Sequence, residues 1–275
     1  MIQSPGIARM PIQKIQDTDV LEASDVLAVE EPLEIRLQYG PAGLRQEQGI
    51  SITMRTPGND VQLAIGFLYT EGILPDAGAV KGTYTGTPNS ILISLREDVN
   101  PDIGRLQRHF YTTSSCGVCG KSSLDSLRTI CPSQAPAADW KLAPEMLHPL
   151  PALLRQQQEI YGSTGGLHAS ALFHRQGRLL SLQEDIGRHN ALDKLIGWAL
   201  QKNRLPLTEH ILLLSGRACF ELIQKAAMAG IKVVAAVGAP SSLAVELARE
   251  HDMTLIGFLR DQRFNIYAGS ARIAV

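Results

Sequence analysis

The sequence predicts an α/β protein in which a mainly parallel sheet occupies the C-terminal half and a smaller α+β unit precedes it. Three observations carry that prediction. Residues 210–260 alternate short, continuously apolar segments (HILLLS, IKVVAAVG, MTLIGFLR) with longer segments of helical period, as strands buried on both faces do. Residues 32–56 instead alternate apolar with polar positions, the signature of half-buried strands. A chain of 275 residues with 44% apolar and 19% charged content is long enough to bury a sizeable core.

The elements follow in order. Residues 1–25 have mixed polarity and are expected to form a loose leader. The α+β unit spans 26–110, with strands PLEIRLQYG (32–40) and GISITMRT (49–56) joined by a turn or short loop. NDVQLAIGFLYTEGIL (59–74) opens on the cap-forming Asn59 and Asp60, carries one apolar face and stops at Gly72, so it predicts a helix. NSILISL (89–95) adds a strand. Residues 111–140 are rich in Ser, Thr, Gly, Cys and Pro, with room for one short helix at 121–129, and are expected as a long exposed connection of the kind that carries function. The α/β unit spans 141–275. Its first helix is expected within 144–162, after Pro151. HASALFH (168–174) and GRLLSLQED (177–185) read as adjacent strands. Helices at 187–203, 216–230 and 241–251 then alternate with strands at 210–215, 231–238 and 253–260, and FNIYA (264–268) adds an edge strand.

Composition excludes several classes. A net charge of −1 gives no general attraction to nucleic acid or anionic membrane, so a basic site must be local. No apolar run approaches the roughly 18 residues of a membrane span, and the first residues lack the apolar core of a secretory signal. Four cysteines are too few for a disulfide-built secreted scaffold. The expectation is a cytoplasmic protein with reduced thiols.

TTSSCGVCGKSS (112–123) is the densest chemical signal. A structural zinc site needs four ligands, and Cys131 and Cys219 stand alone while His109 and His148 show no paired spacing; no metal is predicted. A thioredoxin-like pair would follow a buried strand, and RLQRHFYTTSS is too polar for one. A phosphate loop would need glycine where Ser115 stands, and a zinc deaminase needs a His-x-Glu that the chain lacks before these cysteines. What remains is a reactive thiol in a Gly-rich loop, with Lys121 favouring thiolate. Redox work and sulfur carriage both stay open on these residues alone.

Three strand ends share another property. Ser215, Gly216 and Arg217 sit between a strand and a helix, Gly238, Ser241 and Ser242 open the next helix, and Arg260 and Arg263 lie just past a strand end. Helix amino ends attract anions, and ligands of open α/β sheets collect at the carboxyl ends of strands. Together these residues point to a phosphate-rich ligand, although each alone fits ordinary capping. In QEDIGRHNALDKL (183–195), Asp185 is a candidate helix cap, and His189 and Asp193 lie one turn apart, as a surface pair would. Arg188 and His189 are also placed to touch a ligand.

SSCGVCGKSS, GGLHASALF, EDIGRHNALDKLIG, SGRACFELIQKAAMAGI, APSSLAVELA and LIGFLRDQRFNIY, in this order, resemble the FdhD/NarQ family of formate dehydrogenase accessory sulfurtransferases, from about residue 30 to the C-terminus. The resemblance implies a sulfur carrier that takes sulfur from a cysteine desulfurase. It would deliver that sulfur to Mo-bis(molybdopterin guanine dinucleotide) before the cofactor enters formate dehydrogenase. By position Cys116 matches the persulfide-forming cysteine and Cys119 its partner. Phe258, Leu259, Arg260, Asp261, Gln262 and Arg263 match the segment associated with the cofactor, and Arg217 lies at a neighbouring strand end. The resemblance further implies a cytidine deaminase-like C-terminal domain and a homodimer. An alternative function is a cofactor-binding chaperone whose cysteines dock partners or sense redox state. Two departures stand out. Asp261 lies near a position where glycine is expected, and Cys219 replaces an expected serine, which assigns it a packing role.

Overall fold

The computed structural model describes residues 5–102 and 140–274. Cys116, Cys119, Lys121, Cys131 and the expected helix at 121–129 lie outside those residues.

The segment read as a leader contains two strands. β1 (Ile7–Gln16) and β2 (Asp19–Ala28) pair antiparallel about a tight turn at Asp17, whose φ is 54°. Most of both strands is exposed, so neither shows the strict alternation that a buried face imposes. A four-stranded sheet follows, in the order β4 (Gln46–Arg55), β3 (Glu31–Tyr39), β6 (Ser90–Leu95), β5 (Val80–Thr87), with β3 and β6 parallel. The polar, exposed β5 was not legible as a strand. Helix α1 (Asp60–Thr70) buries Leu63, Ala64, Ile65 and Leu68 in the same hydrophobic cluster as Leu33, Ile35, Ile91 and Ile93.

The second half begins with α2 (Leu150–Gln157). It starts one residue before Pro151, because a first-turn proline forfeits no helical hydrogen bond. The chain breaks at Gln158 and resumes as the short α3 (Glu159–Thr164). Then come β7 (His168–His174), β8 (Leu179–Asp185), α4 (Arg188–Gln201), β9 (His210–Leu214), α5 (Phe220–Met228), β10 (Val233–Ala236), α6 (Ser242–Glu250), β11 (Thr254–Arg260) and β12 (Arg263–Ala268). The six strands lie in the order β12-β11-β10-β9-β7-β8. Only β9–β10 and β10–β11 are parallel; the β11–β12, β7–β9 and β7–β8 pairs are antiparallel. The sheet is therefore mixed rather than mainly parallel. Apolar runs report burial on both faces, but short connections such as 175–178 and 261–262 force antiparallel hairpins.

Alternate strand residues face opposite layers. Leu212, Leu214, Val234, Ala236 and Leu255 join the cluster that includes α1, α4 and the four-stranded sheet. Ile211, Leu213, Val233, Ala235 and Ile256 pack with Leu147, Leu150 and Leu154 on the other side. One hydrophobic cluster thus runs from Leu33 to Leu255 across both halves of the chain. The halves are also joined backbone to backbone where α1 crosses α4. A Cβ on Gly66 would fall 1.9 Å from the Asp193 carbonyl oxygen, and one on Gly197 would fall 1.9 Å from that of Gln62.

Candidate functional site

The strand register gathers the predicted residues along one edge of the six-stranded sheet. His168 opens β7 opposite Asp185 at the end of β8. The ends of β9, β10 and β11 reach the same edge, since β9 runs antiparallel to β7 and parallel to β10, which is parallel to β11. Helices α4, α5 and α6 begin there, each with the positive end of its dipole at that edge. Backbone bonds stitch the strand ends together. Gly238 donates its N–H to the Gly216 carbonyl (3.0 Å), and Phe258 donates to the Gly238 carbonyl (3.1 Å). A Cβ at Gly238 would lie 3.0 Å from that Gly216 carbonyl, so a side chain there would push the two strand ends apart by a few tenths of an ångström. Ser241 is used as a cap, its Oγ accepting from the Ala244 N–H (3.3 Å).

Arg217, Arg260 and Arg263 are exposed at this edge. Asp261 and Gln262 form the turn between Arg260 and Arg263 with φ of 48° and 60°. Two left-handed residues in succession are the type I′ geometry that glycine fills best and aspartate tolerates, which accounts for the expected glycine. Phe258 also has a positive φ, 55°, and is 36% exposed, an unfavourable conformation for an aromatic residue. Leu259 is buried in the core, so of the matched segment it faces away from the edge.

Next to the strand ends lies a pocket of about 550 Å³ lined by Arg155, Gln158, Tyr161, His168, Ser215 and Val237. Gln158 is 3% exposed, and its Nε2 has no hydrogen-bond partner, an unsatisfied donor that a polar ligand would complete. Arg155 stacks its guanidinium 4.1 Å above the Tyr161 ring. Burial lowers the His168 pKa, and Arg188, His189 and Arg217 lower it further, which marks the locality as electropositive. The sequence carried no signal for Arg155 or Gln158, which come from a helix and its break outside the matched motifs.

The EDIGRHN stretch proves to be an anchor. Asp185, fully buried, accepts from the N–H groups of Gly187 (2.8 Å) and Thr56 (3.2 Å) and from Asn190 Nδ2 (3.1 Å). It also pairs with the buried Lys194 Nζ at 2.7 Å. This network fixes the amino end of α4 and hence the direction of His189. The expected His189–Asp193 pair is not formed: Asp193 is buried and bound to Lys225 (3.0 Å) and Thr70 (2.8 Å). His189 turns instead to α5, its Nε2 3.3 Å from Cys219 Sγ and 3.7 Å from Glu221 Oε2. Cys219 packs against the core cluster as expected, and its sulfur also faces the imidazole. Burial lowers the basicity of His189, but its bonds to Cys219 and Glu221 outweigh burial and raise its pKa to about 9. The His189 bond depresses Glu221 to about 2 against the opposing effect of burial. Burial pushes the Cys219 thiol up, and the His189 hydrogen bond and charge more than reverse that, leaving it lowered. Among the described residues, the donor atoms of these three lie within 4.8 Å of one another. The 3.3 Å sulfur–nitrogen distance is a hydrogen-bond length, shorter than the roughly 3.6 Å that a tetrahedral zinc would impose.

The FdhD/NarQ family profile matches residues 28–274, nearly the whole chain. The chain belongs to the FdhD/NarQ family. Its relatives within FdhD/NarQ include the sulfur carrier protein FdhD of Streptomyces avermitilis, 49% identical over 97% of this chain and 95% of the relative. That of Streptomyces coelicolor is 50% identical over the same shares. The Mycobacterium tuberculosis protein is 44% identical over 97% of this chain and 98% of its own. A solved structure described as that of a putative formate dehydrogenase accessory protein from Desulfotalea psychrophila superposes with a TM-score of 0.74. It covers 98% of this chain and 100% of the other at 21% identity, a likeness of fold.

Proposed function

We propose that this FdhD/NarQ member is a sulfur carrier. It accepts sulfur as a Cys116 persulfide from a cysteine desulfurase and passes it to Mo-bis(molybdopterin guanine dinucleotide) before that cofactor enters formate dehydrogenase. The carrying observation is the single edge that gathers three strand ends and three helix amino ends, where Arg217, Arg260 and Arg263 are exposed and where Ser215 and Val237 line the Gln158 pocket. An anionic guanine dinucleotide suits such an edge, because arginine binds phosphate bidentately and helix amino ends favour negative charge. On this reading the C-terminal sheet with its helices is the deaminase-like cofactor domain, and the protein acts in the cytoplasm as a homodimer. No described helix is long and apolar enough to cross a membrane.

The chemistry balances without an external oxidant. A Cys116 thiolate attacks the outer sulfur of the desulfurase persulfide, a new S–S bond forms at Cys116, and the desulfurase cysteine leaves as thiolate. Release of that sulfur at the sulfide level requires two electrons, which Cys119 supplies by closing a disulfide with Cys116. Incubation with a desulfurase and cysteine is expected to add one sulfur to the intact chain, and Cys116→Ala is expected to abolish the gain. A Cys116→Ala chain that still takes up sulfur at the normal level overturns the assignment. If the chain lacking both Cys116 and Cys119 takes up no sulfane sulfur and still activates formate dehydrogenase, it is a cofactor chaperone instead.

A further inference from the structure

We infer that Cys219 is a second sulfur-accepting thiol, activated by His189 and taking sulfane sulfur from a persulfide donor at the ligand-binding edge itself. The inference rests on the sulfur-carrier reading for the nature of the donor; the activated thiol rests on geometry alone. Cys219 is the N-cap residue of α5, with φ −98° and ψ 171°, one residue beyond Ala218 in the stretch that links Gly216 to the next strand end. Ala218 accepts from the Ser241 N–H (2.9 Å) and donates to the Ala239 carbonyl (3.1 Å), so the cysteine is held on a rigid support. Its Sγ faces the imidazole at 3.3 Å, and Glu221, two residues on, holds the same imidazole nitrogen at 3.7 Å. A thiol serving only to fill space would meet apolar neighbours on that side. This one meets an imidazole nitrogen that it shares with a carboxylate, so a protonated His189 can hold the sulfur as thiolate in an ion pair, one of the ways a nucleophilic cysteine is activated.

The site is also open and next to ligand space. Cys219 is partly exposed, and the side chain of His189 is 35% accessible. His189 lies close enough to His168 to lower its basicity, and His168 lines the pocket that holds the unpartnered Gln158 amide. The thiol lies two residues after the exposed Arg217 and faces His189, whose neighbour His168 lines the polar cavity. Burial and the Glu221 carboxylate oppose thiolate, the helix amino end and the protonated His189 favour it, and the balance leaves the Cys219 pKa lowered. Arg188 opposes protonation of His189 more weakly than Cys219 and Glu221 favour it.

In the proposed step the Cys219 thiolate attacks the outer sulfur of a persulfide R–S–SH. The Cys219 Sγ–S bond forms and the S–S bond of the donor persulfide breaks. R–S⁻ leaves with the electron pair, and the proton stays on the terminal sulfur beside His189. Sulfur moves at the zero oxidation level, so no net oxidation or reduction takes place. Cys219 would then place sulfur at the cofactor side, independently of where residue 116 lies.

The test uses the full chain with Cys116, Cys119 and Cys131 changed to serine, which leaves Cys219 as the sole thiol of the four. Incubation with glutathione persulfide is expected to add one sulfur atom by intact mass, mapped to residue 219. His189→Gln is expected to slow the uptake at neutral pH by roughly tenfold or more, because the imidazolium that holds the sulfur as thiolate is lost. Absence of uptake, or equal rates in the two chains, overturns the inference, as does stoichiometric zinc on the purified chain. Iodoacetamide alkylation needs no His189 variant: a rate at pH 7 above that of free cysteine supports an activated thiol, and a rate at or below it overturns one. The wild-type chain with desulfurase and cysteine separates this inference from the main reading. Sulfur found on Cys116 and never on Cys219 overturns the inference alone, whereas sulfur on Cys219 and never on Cys116 overturns the Cys116 assignment alone.

Discussion

Asp185 concentrates more obligation in one carboxylate than any other side chain near the site. It satisfies two backbone N–H groups, an asparagine amide and a buried lysine at once. Removing one partner of a buried pair leaves an uncompensated charge, which costs about 3–5 kcal/mol. Asp185→Ala is therefore expected to lower the unfolding free energy by about that amount in denaturant titration, and to disturb the direction of His189. His189 has its own signature. Its folded pKa of about 9 lies above the ordinary 6.5, so its stabilising contribution is complete below about pH 6.5 and fades as pH rises through about 9. Glu221, depressed to about 2 from 4.5, contributes above about pH 4.5 and loses that contribution as pH falls through about 2. The melting-temperature difference between wild type and His189→Gln is accordingly expected to be larger at about pH 6 than at about pH 10. Nothing local in the sequence announces this pair: Cys219 and His189 are 30 residues apart and meet because two helices start at one sheet edge. Asp185, expected as the cap, does not cap the helix: Gly187 is the N-cap, and Asp185 binds its N–H, the Asn190 amide and Lys194, a pairing the sequence did not announce.

Among the elements, the crossing of α1 and α4 admits the least change. With 1.9 Å between an added methyl and a carbonyl oxygen, neither Gly66→Ala nor Gly197→Ala can be absorbed by a side-chain rotation, and the helices must separate. Each is expected to destabilise by more than the roughly 1–3 kcal/mol of ordinary overpacking, read as a lowered thermal midpoint. The β11–β12 turn behaves in the opposite way. Asp261→Gly keeps the left-handed backbone and removes a carboxylate from between two arginines. It is expected to leave the melting temperature nearly unchanged and to tighten guanosine diphosphate binding by up to about tenfold, measurable by calorimetry. The helices and apolar strands were legible because burial imposes a period on the chain. β1, β2 and β5 were not, since mostly exposed strands carry no such imprint, and strand direction in the large sheet leaves no mark on hydrophobicity.

At the scale of the molecule, the two halves that looked separable in sequence share one hydrophobic cluster. Polar contacts cross between them as well: Lys225 reaches Glu71 at 3.1 Å, Asn59 reaches Gln183 at 2.7 Å, and the buried Tyr69 hydroxyl donates to the Met228 carbonyl at 2.9 Å. Denaturant unfolding followed by probes in each half is expected to give one coincident transition, because neither half can lose its side of the core alone. The shared core has a practical corollary in fragment complementation. Polypeptides ending at residue 102 and starting at residue 140 would each expose an apolar face that only the other can cover. Mixed in solution they should reassociate, which would make the chain a natural split reporter whose two parts find each other without a covalent link.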